Sequence, residues 1–266
     1  MPRVQRPPVA GRVETTARSG FTQNPGMTRL VLLPGLACDA RLWQDQLPAL
    51  PGAFDVRVSD AHTRHARIED MAAAVLAENE GPLILCGASM GGMVAMEAAR
   101  QAPQRIAGLA LLGTNARPET PELYQLRASA IEVFERGDAR SLIELNAGFA
   151  FHPAQAADPA LVKRYVNLVL DAGVEQLVRQ NRAVMVRPDA RSHLPNLRCP
   201  VLVMCGDTDK LALPEFSAEI AALVPGAELV WVADCGHMLT MEKPEVVNAT
   251  LNDWLARNFP RESEGE

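Results

Sequence analysis

A chain of 266 residues suits one α/β domain built on a single core. Hydrophobic residues make up 48% and charged residues 22%, which excludes a mostly disordered chain, and no apolar run approaches the ~20 residues a bilayer-spanning helix needs. The net charge of −6 argues against a dedicated nucleic-acid binder. Five cysteines, an odd number with no C-x-x-C pair, do not make a disulfide framework, so reduced thiols in a cytoplasmic setting are expected.

The first 27 residues carry Arg3, Arg6, Arg12 and Arg18 against one acid, Glu14, with Pro2, Pro7, Pro8 and Pro25. They lack the apolar core of a secretory signal and the periodicity of an amphipathic transit peptide, so 1–28 is expected to be a disordered leader. Apolar runs at Leu30–Leu33, Leu83–Cys86, Ile106–Leu112, Val201–Cys205 and Glu228–Val232 read as buried strands. The alternation Phe54, Val56, Val58 reads as a strand near a sheet edge. Helical stretches are expected at about 40–49, 68–79, 90–101, 214–223 and 243–258. Strand–helix alternation predicts a mostly parallel sheet flanked by helices.

The alternation stops between Asn115 and Arg198. There the chain reads as helices near 120–136, 139–148, 158–171 and 173–186, punctuated by prolines. The expected organisation is therefore a core of 29–114 and 199–259, a helical lid over 115–198, and a frayed tail at 260–266.

The sharpest local signal is Gly87-Ala88-Ser89-Met90-Gly91, between an apolar strand and a helix. With 18 glycines and 8 serines, composition alone predicts about 0.04 such G-x-S-x-G matches in the chain. A sharp strand-to-helix turn strains the serine backbone and exposes its hydroxyl. The flanking glycines avoid collisions with neighbouring backbone. Helix N-terminal amides beside the serine can then stabilise a developing oxyanion. A serine needs a base, and the base a carboxylate to orient it.

Of five histidines, His237 follows the strand Glu228–Val232, at the sheet edge where ligands bind in open α/β folds. His62 and His65 form an H-x-x-H in a polar loop. Without a third ligand they read as solvent-exposed rather than metal-binding. His152 and His193 lie in the helical insert, and nothing marks them. After Val201–Cys205 come two acids, Asp207 and Asp209, either of which suits the carboxylate role from spacing alone. Cys38, Cys86 and Cys235 read as small buried hydrophobes, and Asp39 as a helix N-cap.

Leu33-Pro34-Gly35-Leu36 with Trp43 and Gln46, then Gly87-Ala88-Ser89-Met90-Gly91-Gly92, Cys205-Gly206-Asp207-Thr208-Asp209, Gly236-His237-Met238 and Glu242-Lys243-Pro244-Glu245, together resemble the α/β-hydrolase fold family. The resemblance covers residues 29–259. Within the family it is most similar to small serine carboxylesterases of the pimeloyl-carrier-protein methyl-ester esterase and enol-lactonase type. The resemblance implies Ser89, Asp209 and His237 as catalytic residues, Asp209 because the orienting acid stands three residues after the strand-end glycine. It implies the backbone amides of Leu36 and Met90 as the oxyanion hole, although Pro34-Gly35 stands where family members carry His-Gly.

A serine at this turn favours acyl transfer from a small ester, thioester or lactone, with no metal and no cofactor and with a small-molecule acyl substrate as the partner. A cofactor-free perhydrolase (haloperoxidase-like) or a lyase on the same triad, or a slow-turnover small-molecule receptor, are the alternatives the motifs leave open.

Overall fold

The structure is a computed structural model that describes residues 28–260. The expected leader and tail therefore lie outside the described residues, apart from Thr28 and Pro260.

Six strands form one sheet in the order β2-β1-β3-β4-β5-β6, every pairing parallel. They are β1 (Arg29–Leu33), β2 (Asp55–Val58), β3 (Leu83–Ala88), β4 (Ile106–Leu112), β5 (Val201–Gly206) and β6 (Glu228–Val232). The α-helices are α1 (Ala61–Arg64), α2 (Ile68–Glu78), α3 (Met90–Gln101), α4 (Pro121–Glu135), α5 (Ala139–Asn146), α6 (Pro153–Ala156), α7 (Pro159–Asp171), α8 (Val174–Met185), α9 (Pro214–Leu223), α10 (Leu239–Glu242) and α11 (Pro244–Asn258).

The central strands are apolar throughout because both faces of the sheet are covered. Side chains alternate between faces with a period of two. Val31, Leu33, Leu83, Leu85, Leu109, Leu111, Val201 and Val203 meet Ile68, Met71 and Val75 of α2, Val94 and Met96 of α3 and Ile220 of α9. Leu30, Leu32, Ile84, Cys86, Ala110, Leu112, Leu202 and Met204 meet Trp43 and, from α11, Val247, Leu251 and Trp254. The outer strand β2 is half-buried along its length, as its alternating pattern predicts for an edge.

The expected helix at 40–49 is instead one 3-10 turn, Ala40–Trp43, followed by isolated turns. Pro48 has no N–H to donate to Gln44 and its ring crowds that carbonyl, so the helix does not propagate.

Between β4 and β5 the described chain contains only helices and loops. Prolines start α4, α6 and α7, and Thr120 and Asp158 cap α4 and α7 through their side chains. The insert has its own apolar cluster of Ile131, Phe134, Ile143, Val166, Val169, Leu177 and Val178. Ala37, in the loop after β1, packs into it. The insert thus reaches the carboxyl edge of the sheet.

Candidate active site

The chain switches direction between β1 and β3, since β2 lies on one side of β1 and β3 on the other. The carboxyl ends of the strands near that switch carry the predicted site residues, where open α/β sheets place their ligands. Ser89 stands between β3 and α3 with φ 52° and ψ −116°. A non-glycine residue in that region costs about 1–3 kcal/mol and persists only where its surroundings fix it. Here its N–H donates to Leu112 O at 2.8 Å, and Thr114 Oγ1 donates to Ser89 O at 2.7 Å. A Cβ on Gly87 would strike the backbone of Gly91, and one on Gly91 would strike Leu33 O and Pro34 O. The two glycines let β1, β3 and α3 close up beneath the serine.

The structure brings Ser89, His237 and Asp209 into one hydrogen-bonded series. Ser89 Oγ lies 3.0 Å from His237 Nε2, and His237 Nδ1 lies 2.8 Å from Asp209 Oδ2. The Asp209 side chain is fully buried and that of His237 is 9% exposed. The other Asp209 oxygen accepts from the amides of Leu211 and Ala212 at 2.8 and 2.9 Å, which fixes the carboxylate plane. Asp207 is not in this series. It accepts from the amides of Asp234 and Cys235 and ties β5 to the loop after β6.

Burial disfavours an imidazolium at His237. The Asp209 carboxylate beside it, with Glu242 farther off, outweighs that cost and holds His237 above its ordinary value.

Leu36 and Met90 flank the serine. A Cβ on Gly35, the neighbour of Leu36, would lie 3.4 Å from Ser89 Cβ. Among the described residues neither the Leu36 nor the Met90 amide donates to a protein group, so both are free for a ligand oxygen. Ala37 holds φ 54°, a left-handed conformation that strains a residue with a Cβ.

Three residues without a sequence-assigned role support this arrangement. Gly113, at the end of β4, has φ 51°, and a Cβ there would lie 3.3 Å from Asp209 Oδ2 and 3.5 Å from His237 Nδ1. Its signal was a glycine directly after a buried strand. Thr114 pins the Ser89 carbonyl. Glu242 accepts from the amides of Gly236 and Met238, at 3.1 Å each, and from the insert's His152 amide at 2.8 Å. It thereby grips the turn that carries His237. Burial pushes the Glu242 carboxyl up, against the lowering effect of those amides.

His62 corrects an expectation. It lies in α1, 5% exposed, with Nε2 2.7 Å from Cys38 O. Gln180 of α8, more than 100 residues away, donates to His62 O. His152 caps α6, His193 contacts Met96 O, and Asp39 caps the 3-10 turn as expected. Cys38, Cys86 and Cys235 are buried. Burial pushes their thiols up, that of Cys38 to about 12, so they stay neutral. Among the described residues no cluster of three or more His, Cys, Asp or Glu is arranged to hold a metal ion, and no helix is long and apolar enough to cross a membrane.

Comparison with known proteins agrees with this fold. The chain is 30% identical to a pimeloyl-[acyl-carrier protein] methyl ester esterase of Aromatoleum aromaticum, over 84% of this chain and 96% of that one. It superposes on a thermophilic esterase from Thermogutta terrifontis with a TM-score of 0.78 and 28% identity, covering 87% and 90% of the two chains. The enol-lactonase of Burkholderia xenovorans shares the fold, with a TM-score of 0.77 and 24% identity over 88% and 94%. A profile of the alpha/beta hydrolase family matches residues 30–250. The chain belongs to the alpha/beta hydrolase family and is an enzyme of its esterase type.

Proposed function

We propose that the protein is a serine hydrolase that cleaves a small carboxylic ester, thioester or lactone through an acyl-enzyme on Ser89. The observation that carries this reading is the contact series Ser89 Oγ, His237 Nε2, His237 Nδ1, Asp209 Oδ2 at 3.0 and 2.8 Å, with the serine held in a strained turn.

In this reading His237 Nε2 takes the Ser89 proton as Oγ attacks the acyl carbon, and the carbonyl π pair moves onto oxygen. The amides of Leu36 and Met90 receive that oxyanion. Asp209 accepts the Nδ1–H and stabilises the imidazolium, which then protonates the leaving oxygen or sulfur. Water, activated by the same imidazole, hydrolyses the acyl-enzyme and restores Ser89. No metal or cofactor takes part in these steps. The insert over 115–198 is the lid of this reading. It shields the intermediate from bulk water and shapes the acyl pocket. The methyl ester in the relative's name supports an acyl ester with an oxygen leaving group.

A panel of nitrophenyl esters of increasing chain length tests the reading. The wild type should show saturable turnover with a chain-length optimum, and Ser89→Ala should lose roughly 10⁴–10⁶ in kcat while melting like the wild type. Binding of esters without turnover would instead mark a receptor. Halogenation driven by peroxide and an acyl donor, in preference to hydrolysis, would mark a perhydrolase.

A further inference from the structure

The loop after β1 has an anchor outside the core. Gln180, on α8 of the insert, is 1% exposed. Its Oε1 accepts the Ala37 N–H at 2.6 Å, across 143 residues of sequence. Its Nε2 donates to His62 O at 2.9 Å and to Gln176 Oε1 at 3.1 Å. His62 in turn closes on Cys38 O at 2.7 Å. One buried amide therefore fixes the strained Ala37 directly and its neighbour Cys38 through His62. Ala37 directly follows Leu36, and Gly35 directly precedes it with Ser89 Cβ at its back. The bond is buried, so water does not readily replace it.

We infer that Gln180 is a positioning residue for the oxyanion hole: the lid helix α8 sets the Leu36 amide by holding Ala37, so the hole is complete only with the insert seated on the core. This inference rests on the acyl-enzyme reading above. An amide is suited to the task because it accepts from Ala37 and donates to His62 O at the same time. A carboxylate would set a charge against the His62 carbonyl, and an aliphatic side chain would leave the Ala37 N–H and the His62 carbonyl both without a partner.

A positioning role separates from mere support of the fold by its effect on the oxyanion. Gln180→Leu is compared with wild type and Ser89→Ala on nitrophenyl acetate, and for inhibition by a trifluoromethyl ketone, whose serine adduct carries an oxyanion. Losing one oxyanion donor outright costs about 10²–10³ in kcat, so loosening one should cost about 10–100-fold, with ketone affinity falling by a similar factor and KM changing little. If the leucine variant does not fold, Gln180→Asn, one methylene shorter, carries the same comparison. Wild-type kcat and ketone affinity in the folded variant would overturn the inference. So would a low kcat with unchanged ketone affinity, which reports only a smaller active fraction. Should Ser89→Ala keep wild-type turnover, the acyl-enzyme reading itself fails. Should it be inactive while the Gln180 variant matches wild type, only the role of Gln180 fails.

Discussion

His237 is held between opposing effects. Burial favours the neutral ring, while Asp209 first and Glu242 second favour the charged one, and the charged form gains. The raised value has two consequences of opposite sign. A base must be neutral, so kcat/KM should rise along an acid limb whose midpoint lies above 6.5, the ordinary histidine value. Stability runs the other way. The folded state binds this proton more tightly than the unfolded one, so the contribution is full below 6.5 and is lost as pH rises through the folded value. A pH–rate profile with its acid midpoint at or below 6.5 would contradict the arrangement. The two aspartates differ as sharply. Asp209→Asn should leave melting near wild type and cut kcat by roughly 10⁴, because an amide favours the wrong imidazole tautomer. Asp207→Asn loses only amide contacts to the Asp234–Cys235 turn and should cost about 1 kcal/mol of stability with little change in kcat. Steady-state kinetics and melts on the pair decide it, and a crippled Asp207→Asn beside a normal Asp209→Asn would reverse the roles. Sequence spacing alone left these two open. The structure separates them: Asp209 meets the His237 ring, and Asp207 meets only turn amides.

At the scale of elements, the strands were legible because a parallel sheet covered on both faces needs uninterrupted apolar residues, and Leu83–Cys86 and Val201–Cys205 have little other use. The tight turn at Ser89 was legible because its glycines answer to steric contacts within a few residues or one neighbouring strand. His62 and Gln180 were not legible. A polar residue in a short loop or on a helix looks solvent-facing until a segment more than 100 residues away covers it. The apolar pattern predicts a helix over 40–49, and Pro48 limits it to the 3-10 turn Ala40–Trp43. The glycines give an element-scale contrast. Gly91→Ala drives a Cβ into Leu33 O and Pro34 O, both backbone, and should prevent β1 and α3 from closing, seen as loss of soluble folded protein. Gly113→Ala meets side-chain atoms of Asp209 and His237 at 3.3–3.5 Å and adds strain at φ 51°. It should fold with reduced stability and a kcat deficit larger than any change in KM. A Gly113→Ala enzyme with unchanged kcat would show that the Asp209–His237 contact tolerates crowding from β4.

Across the whole molecule, the insert is both fastened to the core and tied to itself. Gln180 meets the loop after β1, and the His152 amide meets Glu242 beside His237. Within the insert, Arg187 near its end forms an ion pair with Glu119 near its start at 2.9 Å, their side chains 3% and 2% exposed, and also donates to Arg117 O and Val184 O. Burial opposes charge on Glu119, but Arg187 and then Arg127 hold its carboxyl below the usual range. Arg187→Met leaves the buried Glu119 with Arg127 as its remaining partner, so the cost should stay below that of a fully unpaired charge, at about 1–3 kcal/mol. Chemical denaturation measures it, and a loss under 1 kcal/mol would show that the pair does not hold the two ends of the insert together.

The proposed chemistry depends above all on Ser89 acting as the nucleophile of acyl transfer. A fluorophosphonate probe, which loses fluoride as a serine oxygen bonds to phosphorus, followed by peptide mass mapping, tests it most directly. One adduct is expected, on the peptide carrying Ser89, absent in Ser89→Ala and strongly slowed in a His237→Ala variant that still folds. Labelling at another serine, or labelling of Ser89→Ala at the wild-type rate, would contradict it.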